Sequence, residues 1–235
     1  MGRRWGRARI GDSETNCWRC ARMSEDPREI DAARSAERQA FARQRYVVLP
    51  ALLERPLADF FWSYVHTKLA SRLLSSADGQ VSNAPAEYGD PAFEGLLEHL
   101  RVRIEERSGL RLWPTYSYFR LYSRGSELTR HRDRPACEIS MTLNIGQIPL
   151  EPWPIYVDAI SGPFAALLAP GDGLLYRGID CFHWREPFQG TRLIQVFLHY
   201  VDRDGPHAIQ KFDGRKTLMR PRDGDYTLED QGRDV

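Results

Sequence analysis

The chain has 235 residues, 42% of them hydrophobic, and a formal net charge of +1. It can bury one sizeable core, and its balanced charge gives no global reason to bind nucleic acid or an anionic membrane surface. Four cysteines are too few for a disulfide scaffold at this length, no apolar run approaches the ~18 residues of a membrane span, and no signal-peptide core is present. A cytoplasmic, reducing location is the default expectation. Basic residues are overwhelmingly arginine, with Lys68, Lys211 and Lys216 the only lysines, which reads as compositional bias rather than function.

Residues 1–22 carry six arginines and little periodic hydrophobicity. They read as a disordered basic extension ahead of a more ordinary start at Met23. Cys17 and Cys20 form a lone Cys-X-X-Cys without a second pair, which disfavours zinc. An acidic turn followed by a helical pattern occupies residues 23–44. Tyr46–Leu49 is a short β-rich run closed by Pro50. Pro56 stands where a second helix begins, and His66 lies within it as a packed or surface residue. Residues 75–90, rich in Ser, Gly, Asn and Pro, read as a long loop placed to act as a lid. Asp90-Pro91 has the form of an N-cap followed by proline at the first helical position. Phe93, Leu96, Leu97, Leu100 and Ile104 trace one helical face, and Gly109 suits the C-cap.

From Leu112 the texture turns to strands. The runs are Tyr116–Tyr122, Glu138–Ile145, Ile155–Asp158, Phe164–Leu168, Gly173–Tyr176 and Leu193–Leu198, separated by Gly- and Pro-containing turns. Helices first and short strands later predict a mainly β fold with flanking α: a double-sheet jelly roll buttressed by N-terminal helices. The expected organisation is a single domain over residues 23–205, with a helical buttress to residue 110 and a barrel core over 111–205. A polar, loosely held tail should occupy 206–235.

The chemistry-bearing pattern is His131-Arg132-Asp133, followed downstream by His183 and then Arg192. Side chains two apart on a strand share a face, so His131 and Asp133 can point together, and His183 can return opposite them on a later strand. Two imidazoles and one carboxylate suit one face of an iron(II) ion and leave the other face open. A lone His-X-Asp is a weak signal; the ordered set of glycine turn, His-X-Asp, strands, Gly-Asp-Gly turn, His and Arg is a stronger one. Arg192 opens an apolar strand, and an arginine projecting into a barrel needs an anion; its planar fork matches a carboxylate. Tyr118 and Thr142 are candidate neutral donors to the same carboxylate by strand position, with Tyr122 weaker. Cys137 and Cys181 read as buried small hydrophobes.

Tyr122-Ser-Arg-Gly125 leading to His131-Arg-Asp133, and Pro170-Gly171-Asp172-Gly173 leading through Tyr176, Gly178 and His183 to Gly190-Thr-Arg192, resemble the two halves of the iron(II)/2-oxoglutarate dioxygenases. The likeness covers roughly residues 112–202 and is most similar to the prolyl-4-hydroxylase-like branch. It implies a double-stranded β-helix (cupin-like), iron held by His131, Asp133 and His183, and Arg192 on the distal carboxylate of 2-oxoglutarate. Two departures stand out: arginine where the prolyl-hydroxylase branch often has lysine, and Ile194 where many members have serine.

The implied reaction couples oxidative decarboxylation of 2-oxoglutarate by O2, giving succinate and CO2, to hydroxylation of an unactivated C–H bond. Related halogenases replace the carboxylate ligand with a small residue, so an intact Asp133 argues for hydroxylation, or a hydroxylase-like desaturation, over halogenation. Trp113, Tyr116, Trp153, Tyr156, Trp184 and His199 are candidates for an aromatic wall, or for ordinary core. Arg134 and Arg185 flank metal ligands, either to meet an anionic substrate group or to form ion pairs, one of them oriented by Glu138. No basic groove with interleaved aromatics points to nucleic acid. The leading expectation is a small-molecule hydroxylase. Its alternatives are a peptidyl, prolyl-type hydroxylase and a non-catalytic cupin-like binding module. A closed pocket under residues 75–90 favours the small molecule, an open groove the peptide.

Overall fold

The structure, a computed structural model, describes residues 26–74, 79–81, 83–149 and 152–219. The expected basic extension over 1–22 lies outside the described residues, as do 220–235. Three helices precede most of the sheet: α1 (Pro27–Gln44), α2 (Arg55–Ala70) and α3 (Pro91–Ser108). The ten strands are β1 (Tyr46–Leu49), β2 (Ala86–Tyr88), β3 (Leu112–Ser123), β4 (Leu128–His131), β5 (Ile139–Ile148), β6 (Ile155–Ala159), β7 (Gly162–Ala166), β8 (Gly173–Arg177), β9 (Phe182–Arg185) and β10 (Arg192–Asp202).

The helix ends follow the chemistry of their sequences. Asp90 accepts from the backbone N–H groups of Ala92 and Phe93, satisfying donors that the first turn of α3 cannot pair internally. Gly109 closes α3 at φ 75°, a left-handed conformation that glycine adopts without steric cost. The apolar stripe Phe93, Leu96, Leu97, Leu100 and Ile104 is buried throughout, as its spacing requires.

The strands form two antiparallel sheets, a major one in the order β1-β8-β5-β10-β3-β2 and a minor one in the order β4-β9-β6-β7. This is the double-sheet jelly roll expected from the strand pattern. In the major sheet, alternate residues serve different layers. Phe119 and Leu121 of β3, Met141 and Leu143 of β5, and Ile194, Val196 and Leu198 of β10 join the core made with α2 and α3. Their neighbours Tyr116, Tyr118, Arg120, Thr142, Gln195, Phe197 and His199 fall on the opposite, inter-sheet face. Two smaller apolar clusters fill the space between the sheets, one around Ile155, Val157, Leu174 and Tyr176, the other around Tyr122, Leu128, Trp153 and Leu193.

Four elements depart from expectation. A short strand, β2, lies inside the segment read as loop. Strands β4 and β9, which carry the two candidate histidines, are only four residues each, and β9 alternates with its polar residues, not its apolar ones, buried. The tail after Gly205 is not loose over 206–219. Arg215 is buried against Glu94, donates to the Thr115 carbonyl and stacks over Tyr88, while Asp213 accepts from Tyr88 and from both terminal nitrogens of Arg134. A charge this deep is tolerated because each cation meets a carboxylate.

Candidate metal centre

His131 ends β4 and His183 lies on β9, and the two residues are directly paired across the minor sheet. Asp133 follows β4 by two residues, fixed by its N–H donating to the Gly178 carbonyl at 3.0 Å. The imidazole Nε2 atoms of His131 and His183 stand 3.7 and 3.5 Å from Asp133 Oδ1, and the potential ligand atoms of the three residues all lie within 4.8 Å of one another. Three side chains distant along the chain therefore converge as the sequence pattern predicts.

The surroundings fix the orientation of each ligand. The Nδ1–H of His131 donates to Thr129 O at 2.8 Å and that of His183 to Cys181 O at 3.1 Å. With Nδ1 protonated, Nε2 keeps its lone pair toward the centre, the tautomer that a metal-binding imidazole requires. Burial, and then the neighbouring His183, lower the pKa of His131, which favours its neutral form. At Asp133 burial works against ionisation, but the hydrogen bond and charge of His183, with help from His199 and Ser140, outweigh it and bring the carboxyl down to about 2. Behind it runs a short relay: His199 Nδ1–H to Ser140 Oγ at 2.9 Å, and Ser140 O–H to Asp133 Oδ2 at 2.8 Å. An anionic carboxylate and two imidazoles that present Nε2 suit a divalent first-row metal.

The triad opens into a cleft of about 570 Å³ lined on its major-sheet side by Tyr116, Tyr118, Arg120, Phe197 and His199. Rings form a continuous surface there: Tyr88 stacks on Tyr116 at 4.8 Å, Tyr116 meets His199 at 4.6 Å, and Phe197 lies parallel to His199. Gln80 closes one side, its amide N–H reaching His131 Nε2 at 3.1 Å and its Oε1 accepting from Arg120 at 3.0 Å. Tyr88 and Arg134, the latter held by Asp213, close another.

Other expected site residues are distributed unevenly. Tyr118 lines the cleft. Thr142 is fully buried on the inter-sheet face and accepts from Gln195 Nε2 at 2.6 Å. Arg192 does not line the cleft: it shares the face of Ile194 and Val196, which point to the helices, so the strand's alternation turns it away from the interior. Of the aromatic candidates, Tyr116 and His199 line the cleft. Trp153 belongs to an apolar cluster, Trp113 carries Lys211 and Arg203 on its ring, and Tyr156 stacks on Trp184. Glu138 pairs with Arg177, not with Arg134 or Arg185.

Sequence reasoning missed Gln80, Arg120 and Phe197. The last two were within reach, since they share the strand parity of Tyr118 and His199; Gln80, in an irregular segment, had no such signal.

No family model matches the chain, and no curated protein matches it. Solved structures do. A prolyl-4-hydroxylase from Pseudomonas putida is similar at 16% identity and TM-score 0.59, covering 72% of this chain and 99% of that one. The alpha-ketoglutarate-dependent epimerase SnoN of nogalamycin biosynthesis is similar at 14% identity and TM-score 0.64, covering 83% and 97%. A prolyl hydroxylase from Trichoplax adhaerens, in complex with a hypoxia-inducible-factor peptide, is similar at 12% identity and TM-score 0.62, covering 75% and 92%. The chain has the double-stranded β-helix fold of the 2-oxoglutarate-dependent iron oxygenases. No described helix is long and apolar enough to cross a membrane.

Proposed function

We propose that the protein is an iron(II)- and 2-oxoglutarate-dependent oxygenase that hydroxylates a small molecule bearing a planar ring. The observation that carries this reading is the convergence of His131 Nε2, Asp133 Oδ1 and His183 Nε2 at the mouth of a cleft, each orientation set by a hydrogen bond behind it. Iron held there would supply the oxidative decarboxylation of 2-oxoglutarate by O2, yielding succinate, CO2 and an oxidant able to hydroxylate an unactivated C–H bond. The fold supports this, since SnoN is described with Fe3+, alpha-ketoglutarate and nogalamycin RO, and HygX from Streptomyces hygroscopicus with nickel and 2-oxoglutarate.

The chain's own residues hold and orient. Asp133 stays anionic, burial favours the neutral form of His131, and the backbone acceptors at Nδ1 of both imidazoles turn Nε2 toward the ion. Tyr88, Tyr116, Tyr118 and Phe197 present ring faces and edges that favour stacking on a flat apolar substrate and exclude water. A volume near 570 Å³ falls in the range of small-molecule sites. Gln80, Tyr88 and the Arg134–Asp213 pair border the half-open cleft, and its limited volume favours a small molecule over an extended peptide. Cys137 and Cys181 are free thiols, and a cytoplasmic location would keep them and the iron reduced.

The test is stoichiometric Fe(II) binding under anaerobic conditions, followed by admission of oxygen and assay of succinate formed from 2-oxoglutarate. One iron per chain and slow substrate-free succinate release are expected. Iron binding with no succinate, even with a panel of polycyclic aromatic substrates, would sink the reading.

A further inference from the structure

Resting on that reading, we infer that Arg185, rather than Arg192, grips the distal carboxylate of the 2-oxo diacid. Arg185 is 2% exposed and lies two residues after His183 on β9, so both side chains face the inter-sheet space. Two residues of strand rise about 7 Å, a separation suited to a five-carbon diacid that reaches the metal centre with its keto end and the guanidinium with its other end.

The surroundings of Arg185 are polar without being anionic. Nη1 donates to the Trp153 carbonyl at 2.7 Å, Nη2 donates to Gln195 Oε1 at 3.2 Å, and the guanidinium lies 4.5 Å over the Trp153 ring. Its Nε–H is buried with no hydrogen-bond acceptor, and no carboxylate among the described residues forms an ion pair with it. Arg215, the comparable buried guanidinium at the other end of the molecule, meets Glu94 directly. Arg134 and Arg177 likewise have acid partners. A fully desolvated cation lacking a counter-charge is costly. A bound carboxylate would supply both the missing charge and the missing acceptor, in the planar geometry that a guanidinium fork matches. The neighbours are arranged to help: Gln195 is itself held by Thr142 Oγ1 at 2.6 Å, which aims its Oε1 at Arg185.

On the next strand, by contrast, β10 offers no cation to this space. Its inward residues are Leu193, Gln195, Phe197 and His199, and Arg192 shares the face of the helix-packed Ile194. The anion grip has thus moved from β10 to the strand that carries the last ligand.

The experiment is anaerobic titration of the Fe(II)-loaded protein with 2-oxoglutarate and with 2-oxopentanoate, which has the same chain without the second carboxylate. The visible charge-transfer band of the chelate is the readout. Wild type should bind 2-oxoglutarate about 100-fold more tightly than 2-oxopentanoate. Arg185→Gln should lose that preference while its affinity for 2-oxopentanoate and for iron stays within a few-fold. Gln195→Glu, which supplies an internal carboxylate to the guanidinium, should lose it too, and stands in if Arg185→Gln does not fold. Arg192→Ala should keep the preference. Full discrimination in whichever of Arg185→Gln and Gln195→Glu folds, or its collapse in Arg192→Ala, would overturn the assignment. An iron-loaded wild type that gives no band with either oxoacid would instead overturn the proposed function.

Discussion

The two sheets of this molecule divide its labour. The major sheet has long strands, of twelve, ten and eleven residues in β3, β5 and β10, and its outer face is sealed by α2 and α3 into the largest apolar core. The minor sheet is built of strands of four or five residues, and the outward positions of β4 and β7 are exposed. Yet two of the three metal-ligand candidates, and Arg185, sit on the minor sheet. Stability is concentrated in one layer and chemistry is carried largely by the other. Short strands suffice for the chemical layer because local hydrogen bonds, together with the burial of His183 and Arg185, fix the side chains.

This division can be broken from the chemical side first. Asp133→Ala removes the only carboxylate of the triad. It should reduce Fe(II) affinity by more than the roughly 10- to 100-fold typical of losing a supporting outer residue, and abolish oxidation of 2-oxoglutarate. Thermal unfolding of the metal-free protein should change little. Isothermal titration with Fe(II) and a melt of the chelated protein separate the two effects; a variant that binds iron normally would remove Asp133 from the centre.

The complementary cut is Phe93→Ala. Phe93 is fully buried in α3, stacked on Phe61 at 4.7 Å and tilted against Phe119 at 4.9 Å. Its loss should cost about 3–5 kcal/mol in urea unfolding, while protein that remains folded keeps its Fe(II) affinity. A large drop in iron affinity here would show that the two layers are not separable.

A smaller effect is expected at Gly178. A Cβ there would sit on the Asp133 Oδ2 tip that Ser140 holds and on the Cys137 backbone carbonyl, which cannot swing aside. Gly178→Ala should therefore push the carboxylate out of line and weaken Fe(II) binding roughly 10- to 100-fold, with the sheet pairing intact. Unchanged affinity would mean that the Asp133 position has more play than its hydrogen bonds suggest.

The same contrast governs what could be read from sequence. The stabilising layer was legible because burial leaves periodic signatures: the α3 stripe, the Asp90 cap and the long strands follow from residue spacing. The candidate triad was legible for a different reason, since its residue types are chemically uncommon in that order, and the three side chains do converge. The inward orientation expected of Arg192 could not be read from β10, which is apolar on both faces. With Leu193, Ile194, Val196, Phe197 and Leu198 in one run, the pattern does not reveal which parity points inward, and a one-residue phase error exchanges the faces. The parity was available from β9, where Arg185 shares the face of His183. Asp213 and Arg215 looked like an ordinary polar tail because their partners, Arg134 and Glu94, are far away in sequence.

His199 tests where the two layers meet, and its effect should be the smallest. It lies on the major sheet but reaches Asp133 through Ser140. Burial lowers its pKa from 6.5 to about 4. The folded protein therefore keeps His199 neutral at pH values where the unfolded chain has taken up a proton. Stability is lost as pH falls below 6.5, at up to about 1.4 kcal/mol per unit, or no more than about 2 kcal/mol by pH 5. Asp133, with its carboxyl held near 2, has the linkage of a depressed acid: its contribution is lost only below about pH 4, so the two groups occupy separate windows. His131, also lowered, contributes in the same direction as His199 and remains in the variant. His199→Gln keeps a donor for Ser140 but has no proton to gain, so the decline between pH 6.5 and 5 should flatten by the share of His199 alone. Urea denaturation of the chelated protein across that range reads the difference. An identical slope in wild type and variant would mean that His199 is protonated without penalty, and that the relay behind Asp133 is more open to water than its burial implies.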